Sequence, residues 1–151
     1  MIKLQPIIMV RELPPACSRQ RQHLPSIREL IAPTPSVHAP AILSYLGQGV
    51  VCGIYNDRGM LYDVLRSGQR IESHTSGGNG NRTIQPNLVL TDGIWVWPGA
   101  LLYYVAIYHI QLPERFLRDA ESHQWRIDPS TIDLEELSWD AFDAIPSTEA
   151  R

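Results

Sequence analysis

Two tryptophans one residue apart, tyrosines following a proline, and carboxylates at turn positions are the side chains here with the most chemistry to offer. Trp95 and Trp97 alternate with Ile94 and Val96, so both indoles leave the same face of one extended segment. A pair like this suits a core layer or a recognition surface, because each ring joins a large apolar area to one N–H donor. Asp57 and Arg58 fall in Asn56-Asp57-Arg58-Gly59, a hairpin-turn signal that sets opposite charges at a tip. Asp63, between Tyr62 and Val64, is expected on the polar side of the returning strand, either as a binding carboxylate or as a solvated residue. Arg70, His74 and Asp92 are the set from which a pocket under the Gly-rich loop 75–82 would be built.

Other chemistries lack their marks. The loop has no Gly-Lys-Ser/Thr ending and no helix after it, so it is read as a hairpin loop and not a phosphate cradle. The five histidines show no metal-ligand spacing, and no metal or other cofactor is expected. No Gly-x-Ser-x-Gly elbow is present, and no catalytic residue is assigned. Cys17 and Cys52 form no Cys-x-x-Cys pair. Isolated thiols suit a reducing compartment, and Cys52, inside Val50-Val51-Cys52-Gly53-Ile54, reads as a small buried hydrophobe.

The periodicity says which elements must hold these residues. Ser26, with Glu29 three places on, caps a short helix over 27–31 that Pro33 and Pro35 end. A second helix is predicted from Pro40 to Leu46, stopped by Gly47 and Gly49. Strands are expected over 50–55, 60–65 and 70–74, then over 87–91 and 94–97 with a turn at Asp92-Gly93. From Pro98 to His109 runs the best helical pattern, with Leu101, Tyr104, Val105 and Tyr108 on one stripe and hydroxyls that need partners. Pro113 opens another helix, where Arg115 and Asp119 sit at i, i+4. No formal charge occurs from Gly93 to Pro113. Pro98 and the polar atoms of the stretch favour a buried strand-turn-helix over a membrane span.

The chain has 151 residues, 44% hydrophobic and 19% charged, enough to bury a core as one domain. Its expected divisions are an extended basic arm (1–25), a globular body (26–126) and an acidic C-terminal segment (127–151). The fold class is α+β, with a small antiparallel meander packed against several helices. A net charge of −3 argues against bulk binding of nucleic acid. No export signal is visible, and a cytoplasmic setting is expected. From Ile127 to Ala150 there are seven acids and no base, with Trp139 and Phe142 interleaved. Asp133 and Glu136 are a capping arrangement for a short acidic helix there, and the strip is a docking site for a basic partner or a solvated face.

Thr91-Asp92-Gly93-Ile94-Trp95-Val96-Trp97-Pro98, then Tyr103-Tyr104-Val105, Tyr108-His109 and Leu112-Pro113-x-x-Phe116-Leu117, resembles a pattern in small bacterial proteins. Some of those are counted as immunity proteins of polymorphic toxin systems. The resemblance covers about residues 26–120 and implies a non-enzymatic protein that occludes the active site of a cognate toxin. On that expectation the partner-binding residues are Asp57, Arg58, Asp63, Arg70, Asp92, Trp95, Trp97, Glu135, Glu136 and Asp140. The partner is then a protein, with no direct contact to nucleic acid or membrane. The rival expectation is a small enzyme or ligand-binding domain with its pocket under loop 75–82. A third is a subunit of a larger assembly, marked by a broad apolar patch.

Overall fold

A computed structural model of the chain describes residues 2–13, 23–55, 61–66, 68–72, 74–75 and 83–138. Two short strands, β1 (Ile2–Lys3) and β2 (Gln5–Pro6), open it. A capped turn of 3-10 helix (Ile27–Leu30) and helix α1 (Ala39–Gly47) follow. Strand β3 (Val50–Ile54) is next, then the small ladder of β4 (His74–Thr75) with β5 (Thr83–Ile84). Strands β6 (Leu88–Thr91) and β7 (Trp95–Pro98) lead into helices α2 (Ala100–Tyr108) and α3 (Glu114–Ser122). Two 3-10 turns (Pro129–Thr131 and Leu134–Glu136) and β8 (Leu137–Ser138) complete the described chain.

The fold is α+β. Its four-stranded sheet has the order β2-β7-β6-β3 and is mixed, not a pure antiparallel meander. β6 and β7 form the expected hairpin, with Leu90 opposite Trp97. β3 runs antiparallel to β6, whereas β2 lies parallel to β7, with Gln5 beside Trp95. β1 pairs in parallel with β8, Ile2 opposite Leu137.

Two expectations change here. The strand over 60–65 does not return along β3, whose partner is β6; Tyr62 makes only a single bridge to Arg70. The chain turns at Asp63, whose carbonyl accepts from the Arg66 N–H. The apolar alternation in that stretch therefore belongs to a turn and not to a sheet strand. Residues 2–13 are also no separate arm. Leu4, Ile7, Ile8, Val10 and Leu13 are all buried in the core. Glu12 secures the segment by accepting from the Ile27 N–H at 2.7 Å and from the Ser26 hydroxyl. Ser26 and Glu29 meanwhile close the capping box read from sequence. At the other end, Leu137 is buried against β1, so the acidic segment is stitched to the body through β8.

An aromatic stack fills the centre. Phe116 of α3 meets Trp95, Trp97 and Tyr45 with ring centroids 5.6, 6.3 and 5.9 Å away. Edge-to-face pairs of this kind add roughly 0.5–1.5 kcal/mol each beyond their buried area. The chain entering β6 can pass close against the start of α2 because Gly99 is bare. A Cβ there would sit 2.0 Å from the Gln85 carbonyl oxygen. The charge-free stretch from Gly93 to Pro113 is the expected strand, turn and helix, and no helix among the described residues is long and apolar enough to cross a membrane.

Candidate functional site

The residues singled out from sequence separate into an inner and an outer group. Trp95 and Trp97 belong to the inner one, at 5% and 1% exposure. Their N–H groups face inward, Trp95 donating to the Asp119 carboxylate at 2.9 Å and Trp97 to the Leu46 carbonyl at 3.2 Å. Neither indole is available as a contact surface, which corrects the recognition reading. All four residues of β7 are buried, so alternation in sequence does not become alternation in exposure. The Arg115 guanidinium lies 6.0 Å over the Trp95 ring, and the ion pair on α3 is Arg118–Glu114 at 3.0 Å rather than Arg115–Asp119.

Asp63 is also inside, at 3% exposure, which corrects its placement on a polar sheet face. One carboxylate oxygen accepts from the Tyr103 and Tyr108 hydroxyls at 2.7 and 2.6 Å. The other accepts from the Leu65 and Arg66 N–H groups at 2.7 and 3.1 Å. The Val64 N–H donates to the Tyr104 hydroxyl at 2.9 Å. Three tyrosines of α2 thus hold the 62–66 turn against the helix. Burial, then the bond to Asp63, pushes the Tyr103 phenol up to about 12 and raises Tyr108 as well.

Asp92 builds a second turn. Its Oδ2 accepts from the Tyr45 hydroxyl at 2.6 Å, and its Oδ1 accepts from the Ile94 and Trp95 N–H groups at 2.9 and 2.7 Å. Gly93 beside it has φ 100°, a conformation most side chains avoid. Burial, followed by the bond to Asp92, raises the Tyr45 phenol far above its ordinary range. A carboxylate occupied on both oxygens by turn donors is poorly placed to act as a general base. Arg70 is exposed and is not among the residues that line the groove at Asp92. His74 lies in β4. Asp57, Arg58, Asp140 and residues 76–82 of the loop lie outside the described residues.

The outer group lies where the β6–β7 turn meets the segment after α3. A groove of about 680 Å³ opens there, lined by Asp92, Ile94, His123, Arg126 and Asp128 among others. The sequence reading missed His123, Arg126 and Asp128 as neighbours of Asp92, because they are brought in by one tether. Gln48, just past α1, donates to the Trp125 carbonyl at 3.0 Å and accepts from the Ile127 N–H at 2.8 Å. Gln124 and Trp125 take the left-handed conformation (φ 58° for both) to make the bend, and Trp125 stacks on His38 at 5.9 Å. Ser122 Oγ and His123 Nδ1 both turn to the Asp119 carbonyl, at 2.6 and 2.8 Å. Their mutual distance of 3.5 Å is too long for a working Ser–His pair.

From the groove the chain continues as an exposed acidic strip. Asp128 caps the first 3-10 turn, and the bonds it accepts from the Ser130 hydroxyl at 2.7 Å and the Ser130 N–H at 3.0 Å lower its carboxyl below the ordinary value. Asp133 caps the second turn as its sequence position suggested, accepting from the Glu135 N–H at 3.0 Å, and the short helix expected there is a 3-10 turn of three residues. Glu135 and Glu136 stand exposed on that turn beside Leu134, which is 42% exposed. Ile132 packs over Gly93, fastening the strip to the Asp92 turn. The signal that points to this surface in sequence is the run of acids with no base. Among the described residues no group of three His, Cys, Asp or Glu side chains could hold a metal ion.

No family model matches the chain, and no significant match is found among curated proteins or among solved structures.

Proposed function

We propose that this chain is a non-enzymatic, cytoplasmic immunity protein that binds one cognate toxin domain and neutralises it by covering its active site. The observation that supports the reading most is the strip 127–136. Asp128, Asp133, Glu135 and Glu136 are exposed, no base lies among them, and caps and the β1–β8 pairing hold them in one shape. A preset anionic surface suits a basic protein face and speeds its association more than it deepens its affinity. Asp92 and Ile94 lie at its inner end and widen the contact. The proposal includes no cofactor and no direct contact with nucleic acid or membrane.

The rival reading, an enzyme working under loop 75–82, draws less from the geometry, because the hydrogen bonds of Asp92 all serve its own turn and Tyr45.

The test is affinity capture of the tagged protein from its own host, followed by co-expression of whatever elutes in equal amount. A partner toxic alone and harmless beside this chain is the expected result. Replacing Glu135 and Glu136 together by Lys is expected to slow association with that partner at least about tenfold at low salt. Capture of no partner, or rescue by the double variant at an unchanged association rate, overturns the assignment of this surface.

A further inference from the structure

A second cavity, away from the acidic strip, lies between α1, the end of α2 and the start of α3. We infer that it binds a small monocarboxylate with a compact apolar body, such as an arylalkanoic acid. Its volume is about 300 Å³. That falls at the lower end of ligand pockets, and an apolar cavity of about 150 Å³ already takes a benzene ring. There is room for one ring and a short chain.

The walls are Ile42, Val105, Ile110 and Leu112, each 9% exposed or less. They come from α1, from α2 and from the connection between α2 and α3, and their burial in the core presets the space. Polar side chains of Thr34, Ser36, Gln111 and His109 share the lining, and of these His109 is the one that can carry a positive charge. His109 ends α2 in the left-handed conformation, φ 56°, where its N–H closes the helix on the Val105 carbonyl at 3.1 Å. Glycine holds such a position without strain, and histidine does not. The imidazole makes no hydrogen bond to any described residue, which leaves its N–H for a ligand at the cavity rim. A carboxylate seated there receives the imidazole N–H while its apolar part fills the space between Ile42 and Val105. Ser36 and Ala39, at the start of α1, line the same rim.

This inference is independent of the toxin-binding reading. Its test titrates the full chain with 3-phenylpropionate, phenylacetate and hexanoate, using 3-phenylpropionamide as the neutral match, and follows Tm and the methyl resonances of Ile42 and Val105. A saturable rise in Tm is expected, with shifts confined to the cavity and the acid preferred over the amide about tenfold. Ala39→Leu, which fills the rim from a helix-favouring position, is expected to abolish the response. His109→Gly relieves the left-handed strain, so its Tm without ligand should rise while the preference for acid over amide falls to about one. The inference is overturned by three outcomes: no saturable response to any of the acids, equal binding of acid and amide by the wild type, or undiminished binding by Ala39→Leu.

Discussion

Asp63 and the strip 127–136 put the same functional group to opposite uses. At Asp63 one carboxylate is enclosed and takes four hydrogen bonds, two from phenols of α2 and two from its own turn. Along the strip, carboxylates stand in solvent, and those that bond to backbone cap turns of three residues. The contrast shows how a carboxylate's surroundings assign its task. An enclosed one must have its bonds met within the fold, because desolvation without partners is costly. An exposed one loses little by leaving an oxygen free and can meet another molecule.

The sharpest way to break the comparison is Asp63→Ala. It strands the Leu65 N–H and two phenols and leaves the Arg66 N–H with the Asp63 carbonyl alone, and a loss on the order of 3 kcal/mol is expected by chemical denaturation. A loss no larger than that at a surface site would mean that the turn and α2 do not depend on this carboxylate. Tyr103→Phe removes one of the four bonds and should cost about 1 kcal/mol near neutral pH. The same variant also tests the alkaline limb. Burial and then the bond to Asp63 push the Tyr103 phenol up to about 12 in the fold, against about 10 for an ordinary tyrosine. Between those values the unfolded chain has lost a proton that the folded chain keeps, so stability falls as pH rises through the interval. In Tyr103→Phe that fall should be shallower, read as denaturation midpoints from pH 9 upward beside the tyrosinate absorbance. On the strip, Asp133→Ala removes a cap from an exposed turn and should cost roughly 0.5–1 kcal/mol. The acid limb follows Asp128, whose folded pKa is lowered. What it contributes is present above its unfolded value and is lost as pH falls through the folded one, an effect that Ser130→Ala should weaken.

Much of the fold was legible residue by residue. The Ser26–Glu29 box, the Asp92-Gly93 turn, the Trp95–Pro98 strand and the helices after it all rest on neighbours within four places in sequence. The hydroxyls of Tyr104 and Tyr108 were recognised as needing partners, and they have them. What local pattern cannot reveal is a partner at long range. Val51 has a nearby run that alternates well enough to be its hairpin mate, yet it pairs with Leu90. Asp63 carries nothing that announces two tyrosines forty and forty-five residues on.

The candidate site divides in the same way. The excess of acid after residue 126 was visible as composition, whereas the bend that brings it to Asp92 depends on Gln48, an ordinary amide far back in the chain. By itself, then, the sequence determined element types, caps and turns, because these follow from backbone preferences and bonds between near neighbours. Only the tertiary structure decided which strands pair, that the tryptophans face inward, and which carboxylates remain outside. Each of those outcomes depends on covering apolar surface from segments distant in the chain, and period and propensity do not encode the partner.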